Sequence, residues 1–150
     1  MTNFLEELVG ESIEAEARHE TIGAPISNNL GVAQGEPLLQ RAATLRGHIS
    51  GSSYVYAESV IVTSRLPTRF CLRLESSFDP IGRILDEMGI AVTREDLGEP
   101  DGSDVPRPNE AAKVDDYLFV RTYRIDAEQT PLMVITEWFL KTLNPFLKSA

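Results

Sequence analysis

Two charged side chains lie inside apolar stretches that have the alternation of β-strands. The segment PLMVITEWFL contains one charged residue, Glu137, and the segment LLQRAATL contains Arg41 in phase with Leu39 and Leu45. Burying a carboxylate or a guanidinium without a partner is costly, so each of them requires a partner or a ligand. These two residues are therefore the first candidates for a site.

The two residue types suit the recognition of an organic acid. A guanidinium binds a carboxylate through two parallel hydrogen bonds, and a carboxylate at the far end of a cavity can orient the ligand or accept a proton. The alternative is a buried Arg41–Glu137 ion pair with a purely structural role. The sequence leaves both interpretations open.

Three more charged residues occur within predicted strands. Glu58 has the parity of Tyr56, so we expect it to point inward as well. Arg121 shares its parity with Tyr123, whereas Arg124 has the opposite parity. Taken singly, Glu58, Arg121 and Arg124 are also typical of ion pairs between neighbouring strands at a protein surface.

Other chemistries have little support in the sequence. His19 and His48 lie far apart, without cysteines or paired carboxylates at metal-ligand spacing, so no metal site is expected. The nucleophile elbow G-x-S-x-G, the P-loop and the dinucleotide motif G-x-G-x-x-G are missing from the sequence. Cys71 lies among apolar neighbours and is expected to be in the core. We predict neither a metal nor an organic cofactor.

Composition favours one cytoplasmic domain spanning residues 1–150. The chain has 150 residues, 42% of them hydrophobic, which is enough for a single core. A net charge of −9 without a basic run argues against nucleic-acid binding. The single cysteine suits a reducing compartment, and no apolar run or leader pattern suggests a membrane span or secretion.

The predicted elements are six strands and three helices. Hydrophobic periodicity predicts strands at residues 11–20, 38–49, 51–64, 90–95, 116–125 and 131–140. It predicts a short amphipathic helix that ends at Gly10, and two further helices at residues 66–75 and 80–89. Mostly consecutive strands with inserted helices indicate an α+β fold, a single antiparallel sheet with its helices on one face.

Two features flank the predicted helices. Asp79 is a candidate N-cap for the helix that begins with Pro80, and Gly82 lies in its first turn, where free N–H groups can bind an anion. The polar, Gly- and Pro-rich segment 98–113 buries little apolar surface. We predict that it forms a mobile flap over the mouth of a cavity.

Four segments in order resemble the chorismate pyruvate-lyase family, in particular its actinobacterial and archaeal branch. They are LLQRAATLRG, YVYAESVIVTSRLP, DPIGRIL and RTYRIDAEQTPLMVITEWFL. The resemblance implies a six-stranded antiparallel sheet, flanking helices, an enclosed ligand cavity and an N-terminus shortened relative to the family. A transcription-factor effector domain shares this general fold.

The resemblance also implies roles for individual residues. Arg41 matches the arginine that binds the ring carboxylate of chorismate and of 4-hydroxybenzoate, and Ile81 matches the residue whose backbone N–H binds the same carboxylate. Glu137 matches the glutamate at the hydroxyl end of the ring. Glu58 stands where the proteobacterial members have an arginine for the second carboxylate, although the actinobacterial branch resembles this chain there. Arg121 or Arg124 is expected to compensate.

The implied activity is the elimination of pyruvate from chorismate to give 4-hydroxybenzoate, without a cofactor, in a monomer or homodimer. Two alternatives remain open from the sequence. One is a repurposed cyclase or lyase of natural-product (polyketide-type) biosynthesis that uses the same cavity. The other is a non-catalytic domain that binds an aromatic acid. All three have a small-molecule ligand and neither nucleic acid nor membrane as a partner.

Overall fold

The structure is a computed structural model that describes residues 2–26, 28–98 and 117–148. Within these residues a single antiparallel sheet is combined with four α-helices and two short 3-10 turns. The strands are β1 (Ile13–Gly23), β2 (Pro37–Gly47), β3 (Ser53–Ile61), β4 (Thr93–Gly98), β5 (Tyr117–Ala127) and β6 (Thr130–Leu140). The helices are α1 (Thr2–Val9), α2 (Thr68–Ser76), α3 (Ile81–Glu87) and α4 (Asn144–Lys148). The predicted α+β class is confirmed.

The sheet is built from hairpins and has the strand order β1-β2-β3-β6-β5-β4. The β5–β6 hairpin closes through Glu128 and Gln129, whose φ angles of 50° and 68° are those of a tight two-residue turn. Because β6 then pairs with β3, the hairpin at the end of the chain completes the centre of the sheet. The predicted strands that carry Arg41 and Glu137 are therefore both interior strands.

One face of the sheet, which we call the cavity face, is covered by helices. It presents the odd-numbered residues of β2, β3, β5 and β6. Phe70 and Leu74 of α2, one helical turn apart, pack against it together with Ile81, Ile84 and Leu85 of α3. This apolar helical stripe explains why the helices lie on one side of the sheet.

The other face, which we call the opposite face, presents the even-numbered residues of the same strands. The loop between β1 and β2 packs on part of it, where Leu30 contacts the cluster formed by Val60 and Val134. Tyr56 and Trp138 form a second apolar contact on this face, with ring centroids 5.6 Å apart. Both faces of the sheet therefore contain buried side chains.

Several predicted boundaries differ from the structure. The fourth strand begins at Thr93 and ends at Gly98, three residues later than the sequence suggests, because Gly89 first turns the chain with a positive φ of 67°. The first strand extends to Gly23. Except for Gly98, the predicted flap over residues 98–113 falls outside the described residues.

Candidate active site

A cavity of about 410 Å³ lies between the cavity face and α3. Arg41 and Glu137 both line it, together with Ser59, Ile81 and Tyr123. Its volume is within the range of small-molecule sites in proteins. The sheet and α3 thus bring the two charged residues of the sequence analysis into a single site.

Arg41 is a buried cation with very few partners. Its side chain projects from the middle of β2, and the residue is only 2% exposed. Its Nη2 donates to the carbonyl of Asp79 at 3.4 Å, and its Nε has no hydrogen-bond partner. Burial lowers the pKa of Arg41 to about 10, so the group is still charged at neutral pH. None of the described carboxylates forms an ion pair with it, which leaves room for an anionic ligand.

The first turn of α3 lies beside this guanidinium. Asp79 directly precedes the turn and its carbonyl accepts the hydrogen bond from Arg41, while Ile81 and Gly82 line the cavity. The first N–H groups of a helix have no partner within the helix, so they are oriented to donate to a ligand. Ile81 and Gly82 are thus placed where the sequence analysis expected them.

The predicted N-cap is wrong. Pro80 occupies the N-cap position of α3, and no side chain caps the helix. The Asp79 carboxylate instead accepts hydrogen bonds from Arg73 at 3.0 and 3.1 Å and from Arg83 at 3.3 Å. Two guanidiniums compete for this carboxylate more effectively than one backbone N–H group.

Glu137 is paired with Arg121, not with Arg41. The two residues are cross-strand partners in β6 and β5, and Arg121 Nε donates to Glu137 Oε1 at 3.0 Å. The side chain of Glu137 is 6% exposed and that of Arg121 is 32% exposed. The alternative of a structural Arg41–Glu137 ion pair is therefore wrong, since the neighbouring strand supplies a closer cation.

Small side chains separate the two ends of the site. Arg41 is paired in register with Ser59 of β3, and Ala57 of β3 is paired with Glu137. Arg41 and Glu137 thus lie two strands apart and offset by two residues, which places their Cα atoms roughly 12 Å apart. Ala57 and Ser59 leave space above β3 for a ring between the guanidinium and the carboxylate.

Tyr123 and Arg94 also line the cavity, and neither was predicted as a site residue from the sequence. Tyr123 is buried next to Glu137, and burial, followed by the Glu137 charge, raises the pKa of its phenol. Arg94 of β4 places its guanidinium carbon 3.9 Å from the centre of the Tyr123 ring. Tyr123 could have been predicted as a cavity residue, since it has the same parity as Arg121. The sequence around Arg94 gives no indication that this residue lines a cavity.

Glu58 and Arg124 do not line this cavity. Both have even numbers and lie on the opposite face, because parity alone decides the face of a strand residue. Glu58 accepts a hydrogen bond from the Tyr56 hydroxyl at 3.3 Å, and Arg124 is paired with Asp126 at 2.7 Å and with Glu95. The structure therefore places neither residue at the cavity in which the ligand is expected.

The structure also bears on metals and membranes. Among the described residues, no three His, Cys, Asp or Glu side chains come close enough together to hold a metal ion. No helix in the described part of the chain is both long and apolar enough to cross a membrane.

Comparison with known families agrees with this geometry. The family profile described as Chorismate pyruvate-lyase Rv2949c-like matches residues 2–147. The chain belongs to this family. The predicted family resemblance is confirmed, and the match includes both strands that carry Arg41 and Glu137.

Two curated relatives are named chorismate pyruvate-lyase. The protein of Mycobacterium leprae is 32% identical over 146 residues, which cover 92% of this chain and 65% of the relative. The protein of Mycobacterium tuberculosis H37Rv is 30% identical over 110 residues, which cover 71% of this chain and 54% of the relative. The chain therefore spans between about half and two thirds of the length of these relatives.

Solved structures share the fold at low identity. The crystal structure of PhnF from Mycobacterium smegmatis superposes with a TM-score of 0.61 at 17% identity, over 95% of this chain and 64% of that one. The effector domain of the same protein superposes with a TM-score of 0.56 at 18% identity, over 91% and 85% of the two chains. At these identities the likeness concerns the fold alone.

Proposed function

We propose that the chain eliminates pyruvate from chorismate and releases 4-hydroxybenzoate. The observation that carries the proposal is the buried Arg41 guanidinium, which faces a small-molecule cavity without a carboxylate partner among the described residues. A buried cation of this kind is costly unless an anion neutralises it in the working state. Membership in the family and the names of two relatives supply the reaction.

The proposed reaction is an elimination that forms an aromatic ring. The bond between ring carbon C3 and the enolpyruvyl oxygen breaks, and the C4 proton is lost. The enolpyruvate that leaves takes up a proton on its methylene carbon and becomes pyruvate. The change is redox-neutral, so the proposal assigns no cofactor to it.

The polar groups at the two ends of the cavity each have a part in this proposal. Arg41 and the Ile81 N–H hold the ring carboxylate, as a bidentate guanidinium and a helix start are suited to do. Glu137 lies at the other end of the cavity, at the C4 end of the ring. It orients the C4 hydroxyl or accepts the proton that leaves C4. Arg121 holds the Glu137 carboxylate in place through its 3.0 Å hydrogen bond. Much of the rate enhancement then comes from holding one reactive conformer away from water.

The test is to incubate the purified protein with chorismate and to follow both products. Pyruvate is measured through its enzymatic reduction to lactate, and 4-hydroxybenzoate by chromatography. We expect both products in equal amounts from the wild-type protein. We expect Arg41→Ala to lose turnover and 4-hydroxybenzoate binding while remaining folded.

Arg46→Ala is the matched control. Arg46 lies on the same strand, but it is partly exposed and pairs with Glu16 at 2.9 Å on the surface. This variant should behave as wild type. Absence of pyruvate with retained 4-hydroxybenzoate binding would overturn the lyase in favour of an aromatic-acid binding domain. Absence of both would leave the repurposed cyclase or lyase as the remaining candidate.

A further inference from the structure

Three arginines line the cavity, and only one of them is neutralised within the described part of the chain. Arg83 pairs with Glu6 at 2.6 Å and with Asp79 at 3.3 Å. Arg41 and Arg94 form no ion pair with any described carboxylate. Arg41 and Arg94 are therefore two lining cations without a carboxylate partner among the described residues, and two such cations can bind the two carboxylates of a dianion.

We infer that Arg94, together with the Tyr123 hydroxyl, binds the second carboxylate of a dianionic ring compound, which in chorismate is the enolpyruvyl carboxylate. The identity of this substrate rests on the proposed function. The subsite itself rests on the charges and contacts of Arg94 and Tyr123.

The register of the sheet places Arg94 well apart from Arg41. The strands β2 and β4 are separated by three other strands, so their backbones lie roughly 19 Å apart. Arg94 is paired in register with Ile125, a cavity-face residue, so its side chain starts on the same face as Arg41. Two long side chains thus approach one cavity from opposite sides, as two separated carboxylates on one ring require.

Tyr123 restrains the Arg94 side chain and adds a donor. The Arg94 guanidinium lies over the Tyr123 ring at 3.9 Å, a cation–π contact that limits its freedom although the residue is exposed. Burial raises the pKa of Tyr123, so the phenol keeps its proton at neutral pH and can donate to a carboxylate. Arg121 and Arg124, which the sequence suggested for this task, are instead paired with Glu137 and with Asp126.

The experiment compares two stable aromatic ligands, one with two carboxylates and one with a single carboxylate. The dianion is 3-(1-carboxyvinyloxy)benzoate, an aromatic compound that cannot undergo the elimination, and the monoanion is 4-hydroxybenzoate. We expect Arg94→Gln to weaken dianion binding by about tenfold, the value of one charge-assisted hydrogen bond at a partly exposed position. Monoanion binding should remain unchanged, and Arg94→Lys should retain part of the preference for the dianion.

Arg69→Gln is the matched control. Arg69 is an exposed arginine of α2 that does not line the cavity, so this variant changes the net charge by the same amount. It should leave both affinities unchanged. Equal weakening of both ligands by Arg94→Gln, an unchanged dianion affinity, or a wild-type protein without preference for the dianion would each overturn the subsite.

Failure of the proposed lyase reaction and failure of the Arg94 subsite give different results. A wild-type protein that prefers the dianion through Arg94 but releases no pyruvate from chorismate retains the subsite and loses the lyase reaction. If chorismate is turned over, Arg94→Gln should raise KM with little change in kcat, because binding in the ground state and in the transition state is lost equally. A fall in kcat with unchanged KM would contradict a binding role for Arg94.

Discussion

Arg41 and Arg124 lie on opposite faces of the same sheet and have opposite surroundings. Arg124 donates to both carboxylate oxygens of Asp126, at 2.7 and 3.0 Å, and is also paired with Glu95. Arg41 is more deeply buried, yet its one acceptor in the described part of the chain is the Asp79 carbonyl, at 3.4 Å. A charged residue in a strand is thus a better sign of a ligand site when its partners are missing than when it is merely buried.

The two buried glutamates of the inner strands also lie on opposite faces of the sheet. Glu58 and Glu137 are 7% and 4% exposed, and they lie on the neighbouring strands β3 and β6. Glu137 lines the cavity, whereas Glu58 lies behind the sheet and accepts a hydrogen bond from Tyr56. Equal burial and equal chemistry therefore allow matched substitutions on the two faces.

The largest effect is expected from Glu137→Gln, with Glu58→Gln as its partner. Glutamine keeps the size of the side chain but removes the charge and the basic oxygen. If Glu137 orients or deprotonates the substrate, turnover should fall by roughly 100-fold while 4-hydroxybenzoate affinity changes little. Turnover of chorismate and melting temperature are measured on both variants.

The contrast between the two faces is lost if Glu58→Gln and Glu137→Gln have the same effect on turnover. Glu58→Gln should keep wild-type turnover per folded molecule. A large fall in the melting temperature of Glu137→Gln with normal turnover would instead mean that the Arg121–Glu137 pair is structural and that Glu137 takes no part in the reaction.

Substitutions of Arg41 and Arg124 are expected to change the free energy of unfolding by an intermediate amount. The change should have opposite signs for the two residues. The lowered pKa of Arg41 means that the folded state disfavours its charged form, at a cost on the order of 3 kcal/mol at neutral pH. Because Arg41 stays protonated below about pH 10, this cost is present throughout the neutral range. Arg41→Met should therefore raise the free energy of unfolding by about 1 to 3 kcal/mol in the absence of ligand.

Arg124→Met is the matched substitution on the opposite face. It leaves the largely buried Asp126 carboxylate without its charged donor, so it should lower the free energy of unfolding by about 2 kcal/mol. Denaturant titrations of both variants at pH 7 measure the difference. A destabilised Arg41→Met protein would show that Arg41 is a structural residue.

The smallest effect is expected at His19, the neighbour of Arg41 on β1. Burial is the main cause that lowers the pKa of His19 below 6.5, and the charge of Arg41 lowers it further. The charge of Glu75 acts in the opposite direction. The unfolded chain then takes up the proton first, so the histidine contributes stability above pH 6.5 that is lost as the pH falls through its folded pKa. His19→Gln should reduce the drop in melting temperature between pH 7 and pH 5 by no more than a few degrees.

His48→Gln is the control for this pH experiment. His48 is an exposed residue beside Glu14, away from the cavity. If it changes the pH dependence as much as His19→Gln does, the half-buried position of His19 beside Arg41 is not the cause. This measurement tests whether burial, together with the neighbouring charge, shifts the titration of His19.

Alternation within single strands was the strongest signal in the sequence. It placed Arg41 and Glu137 on apolar faces and separated Arg121 from Arg124, because the side-chain period of a strand is two residues whatever its neighbours are. It did not show which of the two faces holds the cavity. Glu58 was expected to point toward the ligand on its parity with Tyr56, whereas Arg124 was assigned to the ligand from the family resemblance alone.

Local sequence therefore determined the elements, their inner residues and the family. Tertiary structure decided which charges are neutralised. Glu137 has Arg121 as its partner because β5 lies beside β6. Arg41 has no carboxylate partner among the residues that the structure describes, since Asp79 is occupied by Arg73 and Arg83. Arg94 reaches the cavity only because the edge strand β4 joins the sheet next to β5. Ion pairing depends on distances of a few ångströms between remote segments, and these distances are set when the sheet assembles.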